Sequence, residues 1–143
     1  VLLCLGDTSL FASSSNILRI IKNNYPEIIT KTIPGISSLS AAAAFKDFDL
    51  VKKGETLLIK ECPSSNSELK SLIRESRRNK MVLAIMKVGK RWNLVRETLE
   101  KEDIIDTSLI ALSVGMPGQI IQYASQYKKD FMPYFSLILI RFD

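Results

Sequence analysis

One stretch near the middle of the chain decides the fold: Met81-Val82-Leu83-Ala84-Ile85-Met86-Lys87-Val88-Gly89. It opens with an unbroken apolar run and closes on a lysine, a valine and a glycine. A short apolar run that stops at a turn residue is typical of a strand that is buried on both faces of an α/β sheet. We therefore expect a buried strand over residues 81–88.

The residues on either side of this strand alternate between helix and strand patterns. Apolar stripes at helical spacing mark one helix before it and one after it, at Leu69, Leu72 and Ile73 and at Leu94, Val95, Thr98 and Leu99. Further strands are predicted at residues 56–60, 109–114 and 134–142. Because the composition shifts at residues 49–54, we interpret that segment as a linker and expect an α/β domain over residues 53–143.

The first 52 residues predict the end of another α/β domain. Residues 1–5 and 28–33 have the apolar composition of strands, and a helix pattern runs between them from Leu10 to Ile21. An alanine-rich helix is expected to follow, ending near Phe45. The expected N-caps of the two helices are Thr8 or Ser9 and Ser37 or Ser38. Since Val1 already lies inside an apolar run, we expect the chain to begin in or just before a buried strand.

The composition excludes several classes of catalytic site. The chain has 143 residues and no histidine, so it holds no Ser-His-Asp triad, no Cys-His pair and no zinc site built on histidine. Its two cysteines, Cys4 and Cys62, cannot form a four-cysteine site, and we expect both to be reduced in a cytoplasmic protein. No metal site is predicted, and no apolar run approaches the ~20 residues of a membrane-spanning helix.

The positive charge is uneven along the chain. Residues 53–143 carry 15 basic and 11 acidic side chains, a net of 15 − 11 = +4 out of a total of +5. The densest basic patch comprises Arg74, Arg77, Arg78 and Lys80, and it is followed by Lys87, Lys90 and Arg91. Such a patch could attract nucleic acid, anionic lipid or a polycarboxylate, or be a solvated surface without a partner. We expect an acidic cluster that follows it to be solvated: Glu100, Glu102, Asp103 and Asp106.

Glycines follow predicted strands at places where a ligand could approach the backbone. Gly6-Asp7-Thr8 and Pro34-Gly35-Ile36-Ser37-Ser38 both lead from a strand into a helix, which is the ligand-binding edge of open α/β sheets but also the place of ordinary turns. Met86 could line an adenosine or thioether pocket or belong to the core. Gly115-Met116-Pro117-Gly118-Gln119 could bring backbone against a ligand or form a plain hairpin turn.

Taken in order, these pieces resemble the tetrapyrrole methylase family over essentially the whole chain. Five stretches carry the resemblance: residues 5–11 (Leu-Gly-Asp-Thr-Ser-Leu-Phe), 32–38 (Thr-Ile-Pro-Gly-Ile-Ser-Ser), 85–92 (Ile-Met-Lys-Val-Gly-Lys-Arg-Trp), 114–119 (Val-Gly-Met-Pro-Gly-Gln) and 133–141 (Pro-Tyr-Phe-Ser-Leu-Ile-Leu-Ile-Arg). The third and fifth point to the branch that methylates precorrin-2 at C20 in cobalamin biosynthesis. The family usually has proline after Gly-Asp, where this chain has Thr8.

The resemblance implies a fold, a cofactor and a set of contacts. Residues 1–52 would be the end of a parallel-sheet N-terminal α/β domain, and residues 53–143 a mixed-sheet C-terminal α/β domain. S-adenosylmethionine would bind between them, in contact with Leu5, Gly6, Asp7, Leu10, Ser37, Ser38, Met86, Gly115 and Met116. Lys87, Lys90 and Arg91 would bind the carboxylates of a small-molecule tetrapyrrole. A cytoplasmic homodimer is implied, with neither nucleic acid nor membrane as a partner, and no catalytic residue is assigned.

Several alternatives remain open from the sequence. Another member of the same superfamily would keep the fold and cofactor but act on cobalt-factor II, uroporphyrinogen III, a ribose of ribosomal RNA or a modified histidine. A basic binding module without catalysis would show binding that falls steeply with salt. An inactive remnant of such an enzyme is the third alternative.

Overall fold

The computed structural model describes residues 1–142, and Asp143 lies outside the described residues. The helices are α1 (Ser14–Asn24), α2 (Ser38–Phe45), α3 (Asn66–Arg78) and α4 (Trp92–Lys101). The strands are β1 (Thr56–Glu61), β2 (Met81–Met86), β3 (Leu109–Leu112), β4 (Ile120–Tyr123) and β5 (Ser136–Ile140). Short 3-10 turns cover Gly89–Arg91 and Ala124–Gln126. Within residues 1–142, no helix combines the length and the apolar character that crossing a membrane requires.

The strands form one mixed sheet of five strands, in the order β1-β2-β5-β3-β4. β1 and β2 are parallel, whereas β5 runs antiparallel to both of its neighbours and β4 runs antiparallel to β3. The mixed sheet that was predicted for residues 53–143 is therefore confirmed. β2 lies inside the sheet, and residues 82–85 are buried, as its unbroken apolar run predicted.

Each face of the sheet packs against helices. Leu83 and Ile85 belong to a core shared with residues of α3 and α4, including the fully buried Trp92. Ala84, between them, points to the other face, because successive residues of a strand alternate. That second face, which we call the α2 face, packs against Leu39, Ala42 and Ala43 of α2. The small side chains of α2 therefore serve close helix–sheet packing.

The two strands that were predicted near the N-terminus are not formed. Residues 1–5 and 28–33 have no strand assignment, and Ile29 is 99% exposed. A strand is stabilised by its ladder partners, and no other segment of residues 1–142 pairs with these two, so an apolar pattern alone does not make them strands. The expected buried strand at the beginning of the chain is thus wrong for this structure.

Helix α1 begins later than predicted, at Ser14. Neither Thr8 nor Ser9 caps it, and Ser13, which precedes it, makes no side-chain capping bond. Ser9 is engaged elsewhere, since its amide and hydroxyl both bind the Asp7 carboxylate. A local Asx turn of this kind competes with helix initiation. The alanine-rich helix is capped as predicted, by Ser37, whose Oγ accepts the Ser40 amide at 3.2 Å.

Two further details differ from the sequence analysis. The edge strand β4 was not predicted; it follows the glycine turn at residues 115–119, which is a hairpin connection between β3 and β4. The acidic cluster at residues 100–106 is not uniformly solvated. The Glu102 side chain is only 10% exposed and lies 3.2 Å from Arg74 and 3.8 Å from Arg77. Two of the three arginines of α3 are thereby tied to the end of α4.

Candidate functional site

The topology brings three strand ends to one edge of the sheet. Glu61 pairs with Met86, Met86 with Leu137, and Leu137 with Ala111. The carboxyl ends of β1, β2 and β3 therefore lie at the same edge of the sheet, with the start of β5 between β2 and β3, and we call this the carboxyl edge. Open α/β sheets bind ligands outside such an edge. The predicted contacts Met86, Lys87, Gly115 and Met116 all lie at the ends of β2 and β3 on this edge.

The two glycine loops near the N-terminus pack backbone against backbone. A Cβ placed on Gly35 would lie 2.2 Å from the carbonyl oxygen of Gly6, closer than any real Cβ contact. Gly6 itself has φ +71°, and a Cβ placed on it would lie 3.4 Å from the carbonyl oxygen of Ile36. Only glycine fits at position 35. Residues 5–11 and 34–38 thus form one unit, which we call the paired loops.

Asp7 gives the first of the paired loops its shape. Its Oδ1 accepts the Ser9 amide at 2.7 Å and the Ser9 hydroxyl at 2.6 Å. The Ser9 hydroxyl and then its amide lower the pKa of the Asp7 carboxyl below its ordinary value. The carboxylate is therefore ionised at neutral pH and holds the turn together.

Leu10 and Met86 both lie on the α2 face of the sheet. Both are half-buried and pack against the apolar cluster that contains Leu39, Ala42 and Ala43. The paired loops, α2 and the end of β2 are thereby brought together. Ser37 and Ser38, at the N-terminus of α2, are half-buried in the same region. Leu5 is different, because its side chain is 66% exposed.

The glycine turn after β3 has an open, left-handed backbone. The φ angles are +48° at Ser113, +74° at Gly115 and +82° at Gly118. The Gly115 amide donates to Oε1 of Gln119 at 2.7 Å, and a Cβ on Gly115 would meet no atom within 4 Å. Since β5 lies between β2 and β3, this turn is about 10 Å from the end of β2. Gly115 and Met116 lie at the carboxyl edge, as Met86 does, but β5 separates these two residues from Met86.

The cation Lys87 lies between the first of the paired loops and the end of β1. Its Nζ is 3.6 Å from Oε2 of Glu61 and 5.4 Å from the centre of the Phe11 ring. Phe11 and Lys87 have φ +53° and +56°, a conformation that is rare for residues other than glycine.

A cavity of about 500 Å³ opens at the end of β1 beside this contact. Phe11, Glu61, Cys62 and Arg91 are among its lining residues. Lys90 is exposed on the 3-10 turn between β2 and α4, and it is not among the described residues that line the cavity. Arg91 thus lines the cavity, whereas Lys87 is not among its lining residues and contacts two of them, Glu61 and Phe11.

Cys62 lies in the wall of this cavity but is an unsuitable nucleophile. It is 4% exposed, and its thiol contacts the Pro63 carbonyl oxygen at 3.6 Å. Burial raises the pKa of the Cys62 thiol to about 11. The thiolate is the reactive form of cysteine, so this side chain is almost entirely unreactive at neutral pH. Within residues 1–142, no three cysteine or carboxylate side chains are grouped so that they could hold a metal ion.

Four residues at the carboxyl edge were missed as site residues by the sequence analysis. Phe11 and Glu61 contact Lys87, and Gln119 binds the Gly115 amide. Ser136 accepts the Gly89 amide at 2.8 Å and donates to the Pro133 carbonyl oxygen at 2.9 Å, which fixes the turn after β2. Phe11, Gln119 and Ser136 belong to stretches that carried the family resemblance, and this was the available signal. Nothing in the sequence around Glu61 marks it.

The comparisons with known proteins bear on the whole chain. The family model of the tetrapyrrole (corrin/porphyrin) methylases matches residues 1–125. The chain belongs to this family. It is similar to the cobalt-precorrin-2 C(20)-methyltransferase of Salmonella typhimurium, with 26% identity over 138 residues, which are 95% of this chain and 55% of that protein. The chain thus spans little more than half the length of this curated relative.

Several solved structures of methyltransferases share the fold of this chain. The chain is similar to the methyltransferase CobJ (TM-score 0.64, 22% identity) and to a cobalt precorrin-4 methyltransferase (TM-score 0.67, 14% identity), covering 95% of this chain and 61% of each of those chains. It is also similar to the uroporphyrin-III C-methyl transferase of Thermus thermophilus complexed with S-adenyl homocysteine (TM-score 0.54, 15% identity, 94% of this chain and 62% of that one). At these identities the likeness shows the fold alone, and it confirms the predicted α/β class.

Proposed function

We propose that the protein transfers a methyl group from S-adenosylmethionine to C20 of precorrin-2, giving precorrin-3A in cobalamin biosynthesis. Membership of the tetrapyrrole methylase family supports the methyltransferase reaction. The similarity to the Salmonella typhimurium enzyme, whose name specifies C20 and a cobalt-loaded substrate, favours this position on the macrocycle. The structural observation that carries the proposal is the backbone contact between Gly6 and Gly35, beside the carboxyl edge.

The residues present fit the proposed cofactor. The close contact between Gly35 and the Gly6 carbonyl holds the loop that leads into α2, and the first amides of α2 have no acceptor within their helix. Leu10 and Met86 add half-buried apolar surface that suits an adenosine and a thioether. In our proposal the cofactor contacts are Leu5, Gly6, Asp7, Leu10, Ser37, Ser38, Met86, Gly115 and Met116.

The proposed site lies between two parts of the chain. The paired loops and α2 belong to residues 1–52, and the strand ends belong to residues 53–143. We propose these as the two domains and expect the protein to act as a homodimer.

The mechanism requires the protein to position reactants and to keep other nucleophiles away. When bound, S-adenosylmethionine supplies a methyl group that its sulfonium makes electrophilic. The paired loops, held in shape by Gly35 and Asp7, would fix the orientation of the methyl donor. Fixing this orientation lowers the entropic cost of reaching the transition state. The Cys62 thiol stays protonated because burial raises its pKa to about 11, so it does not compete for the methyl group. The chain has no histidine that could compete.

The basic side chains at the edge would bind the substrate. Tetrapyrroles of this pathway carry acetate and propionate groups, and the net charge of +4 on residues 53–143 attracts such anions. We assign carboxylate binding to Lys87, Lys90 and Arg91. Of the three, the contacts of Lys87 and the place of Arg91 in the cavity wall support the assignment most directly. A guanidinium can hold a carboxylate through two parallel bonds, whereas an ammonium acts as a point charge.

The test is methyl transfer by the full-length natural protein. The protein is incubated with S-adenosylmethionine and, in separate reactions, with cobalt-loaded precorrin-2, metal-free precorrin-2 and uroporphyrinogen III. We expect a mass gain of one methyl group, located at C20, on a precorrin-2 substrate. The preferred metal state shows which cobalamin route the enzyme serves. A gain on uroporphyrinogen III alone would refute the C20 assignment, and no gain on any substrate would refute the methyltransferase proposal.

A further inference from the structure

The ion pair between Lys87 and Glu61 joins the ends of two neighbouring strands. Glu61 is the last residue of β1, and Lys87 is the first residue after β2. Glu61 pairs in register with Met86, so the two charged side chains leave the sheet side by side. Their charged atoms are 3.6 Å apart, and the exposed fraction of the side chain is 53% for Glu61 and 33% for Lys87. Each can therefore be reached by a ligand from solvent.

Phe11 contacts the same cation. Its ring centre is 5.4 Å from Nζ of Lys87. Both residues have left-handed backbone angles, and such conformations persist where the surrounding structure enforces them and often where a side chain must be displayed for function. Lys87 is thus held against two lining residues of the cavity at the end of β1, with Glu61 as its carboxylate partner.

The cavity offers room for a further anionic group. Its volume is about 500 Å³, and its lining combines apolar Phe11, Ile59 and Pro63 with charged Lys60, Glu61 and Arg91. Glu68, at the start of α3, also faces it. Two cations, Lys60 and Arg91, and two carboxylates, Glu61 and Glu68, therefore line the cavity, and Lys87 is joined to it through Glu61.

We propose that Glu61 occupies the place of a substrate carboxylate in the free protein and that a carboxylate of the tetrapyrrole displaces it from Lys87. The inference rests on the proposed function, and it adds a specificity-determining residue that neither the sequence nor the comparisons mark. An ion pair as exposed as this one contributes little to stability, so the exchange costs little. An uncharged ligand gains nothing from the exchange, so Glu61 selects ligands that bring their own carboxylate.

The experiment uses the full-length protein, with Glu61→Gln as the variant and Glu75→Gln as the matched control on the exposed side of α3. The probe is uroporphyrin, whose fluorescence reports binding, and S-adenosylhomocysteine binding is measured separately by calorimetry. Because Glu61→Gln removes the competing carboxylate, we expect uroporphyrin to bind about two- to fivefold more tightly. Glu75→Gln should leave the affinity unchanged, and neither variant should alter S-adenosylhomocysteine binding.

A double-mutant cycle separates displacement from simple charge repulsion. Lys87→Met should weaken uroporphyrin binding, and in that background Glu61→Gln should no longer tighten it. A full gain in the Lys87→Met background would mean that Glu61 acts only by repulsion, and the proposal would be wrong. Weaker binding by Glu61→Gln alone would also overturn it, because Glu61 would then merely hold Lys87 in place. If the wild type binds neither ligand, the proposed function fails together with this inference.

Discussion

Gly35 is the single residue on which the paired loops depend most. Replacement by alanine would place a Cβ 2.2 Å from the Gly6 carbonyl oxygen, so the two loops must separate. Because the proposed cofactor site lies across this contact, we expect Gly35→Ala to weaken S-adenosylmethionine binding at least tenfold, a loss of about 1.4 kcal/mol or more. Calorimetric titration of the full-length protein measures this directly.

Gly54→Ala provides the matched control for that variant. Gly54 has φ +86°, and no atom lies within 4 Å of its Cβ position. The substitution should therefore cost only about 1–2 kcal/mol of backbone strain and leave cofactor affinity unchanged. Equal effects of the two substitutions on cofactor affinity would contradict the assigned role of the paired loops.

The Cys62 thiol makes the stability of the protein depend on pH. Burial raises its pKa from 9.0 to about 11, so the folded protein holds this proton more tightly than the unfolded chain does. The contribution of Cys62 to the free energy of unfolding should consequently be fully present below about pH 9 and be lost as the pH rises towards 11. Urea unfolding at a series of alkaline pH values checks this. In a Cys62→Ala variant the fall between pH 9 and 11 should be smaller, and an unchanged profile would exclude Cys62 as its cause.

At the level of elements, α3 tests how well local sequence signals determine structure. Ser65 caps the helix, and its Oγ accepts the Glu68 amide at 3.3 Å. Ser65→Ala removes this acceptor and should lower the free energy of unfolding by about 1 kcal/mol. Ser71→Ala, on the exposed face of the same helix, should be neutral or slightly stabilising. Denaturant unfolding of both variants checks the pair, and an equal loss in both would mean that the cap contributes nothing.

The elements that were predicted correctly are those whose patterns are satisfied within the chain. β2 was identified because its apolar run is buried on both faces, and α3 and α4 because their stripes pack on that sheet. Residues 1–5 form an apolar run and residues 28–33 are rich in β-branched side chains, but strand formation depends on a partner at long range, and none exists among residues 1–142. β4 was missed because its four residues are too few to show a period of two.

At the level of the whole molecule, the sheet order determines which parts of the candidate site could be foreseen. Met86, Gly115 and Met116 follow strands, so their place at one edge follows from strand direction once the topology is known. The turns at Gly6 and Gly35 were identified as places where a ligand could approach the backbone, but the contact between the two glycines was not predicted, because it is a matter of packing. The pair of Glu61 and Lys87 could not be foreseen, because it depends on the register between β1 and β2.

The central claim is that the paired loops and the carboxyl edge form one binding site for S-adenosylmethionine. Hydrogen–deuterium exchange of the full-length protein, with and without S-adenosylhomocysteine, tests it most directly. We expect slower amide exchange at residues 5–11, 35–38, 86–91 and 113–119 when the ligand is bound, and no change on the outer face of α3. Unchanged exchange in the paired loops at saturating ligand, or protection confined to other segments, would contradict the account.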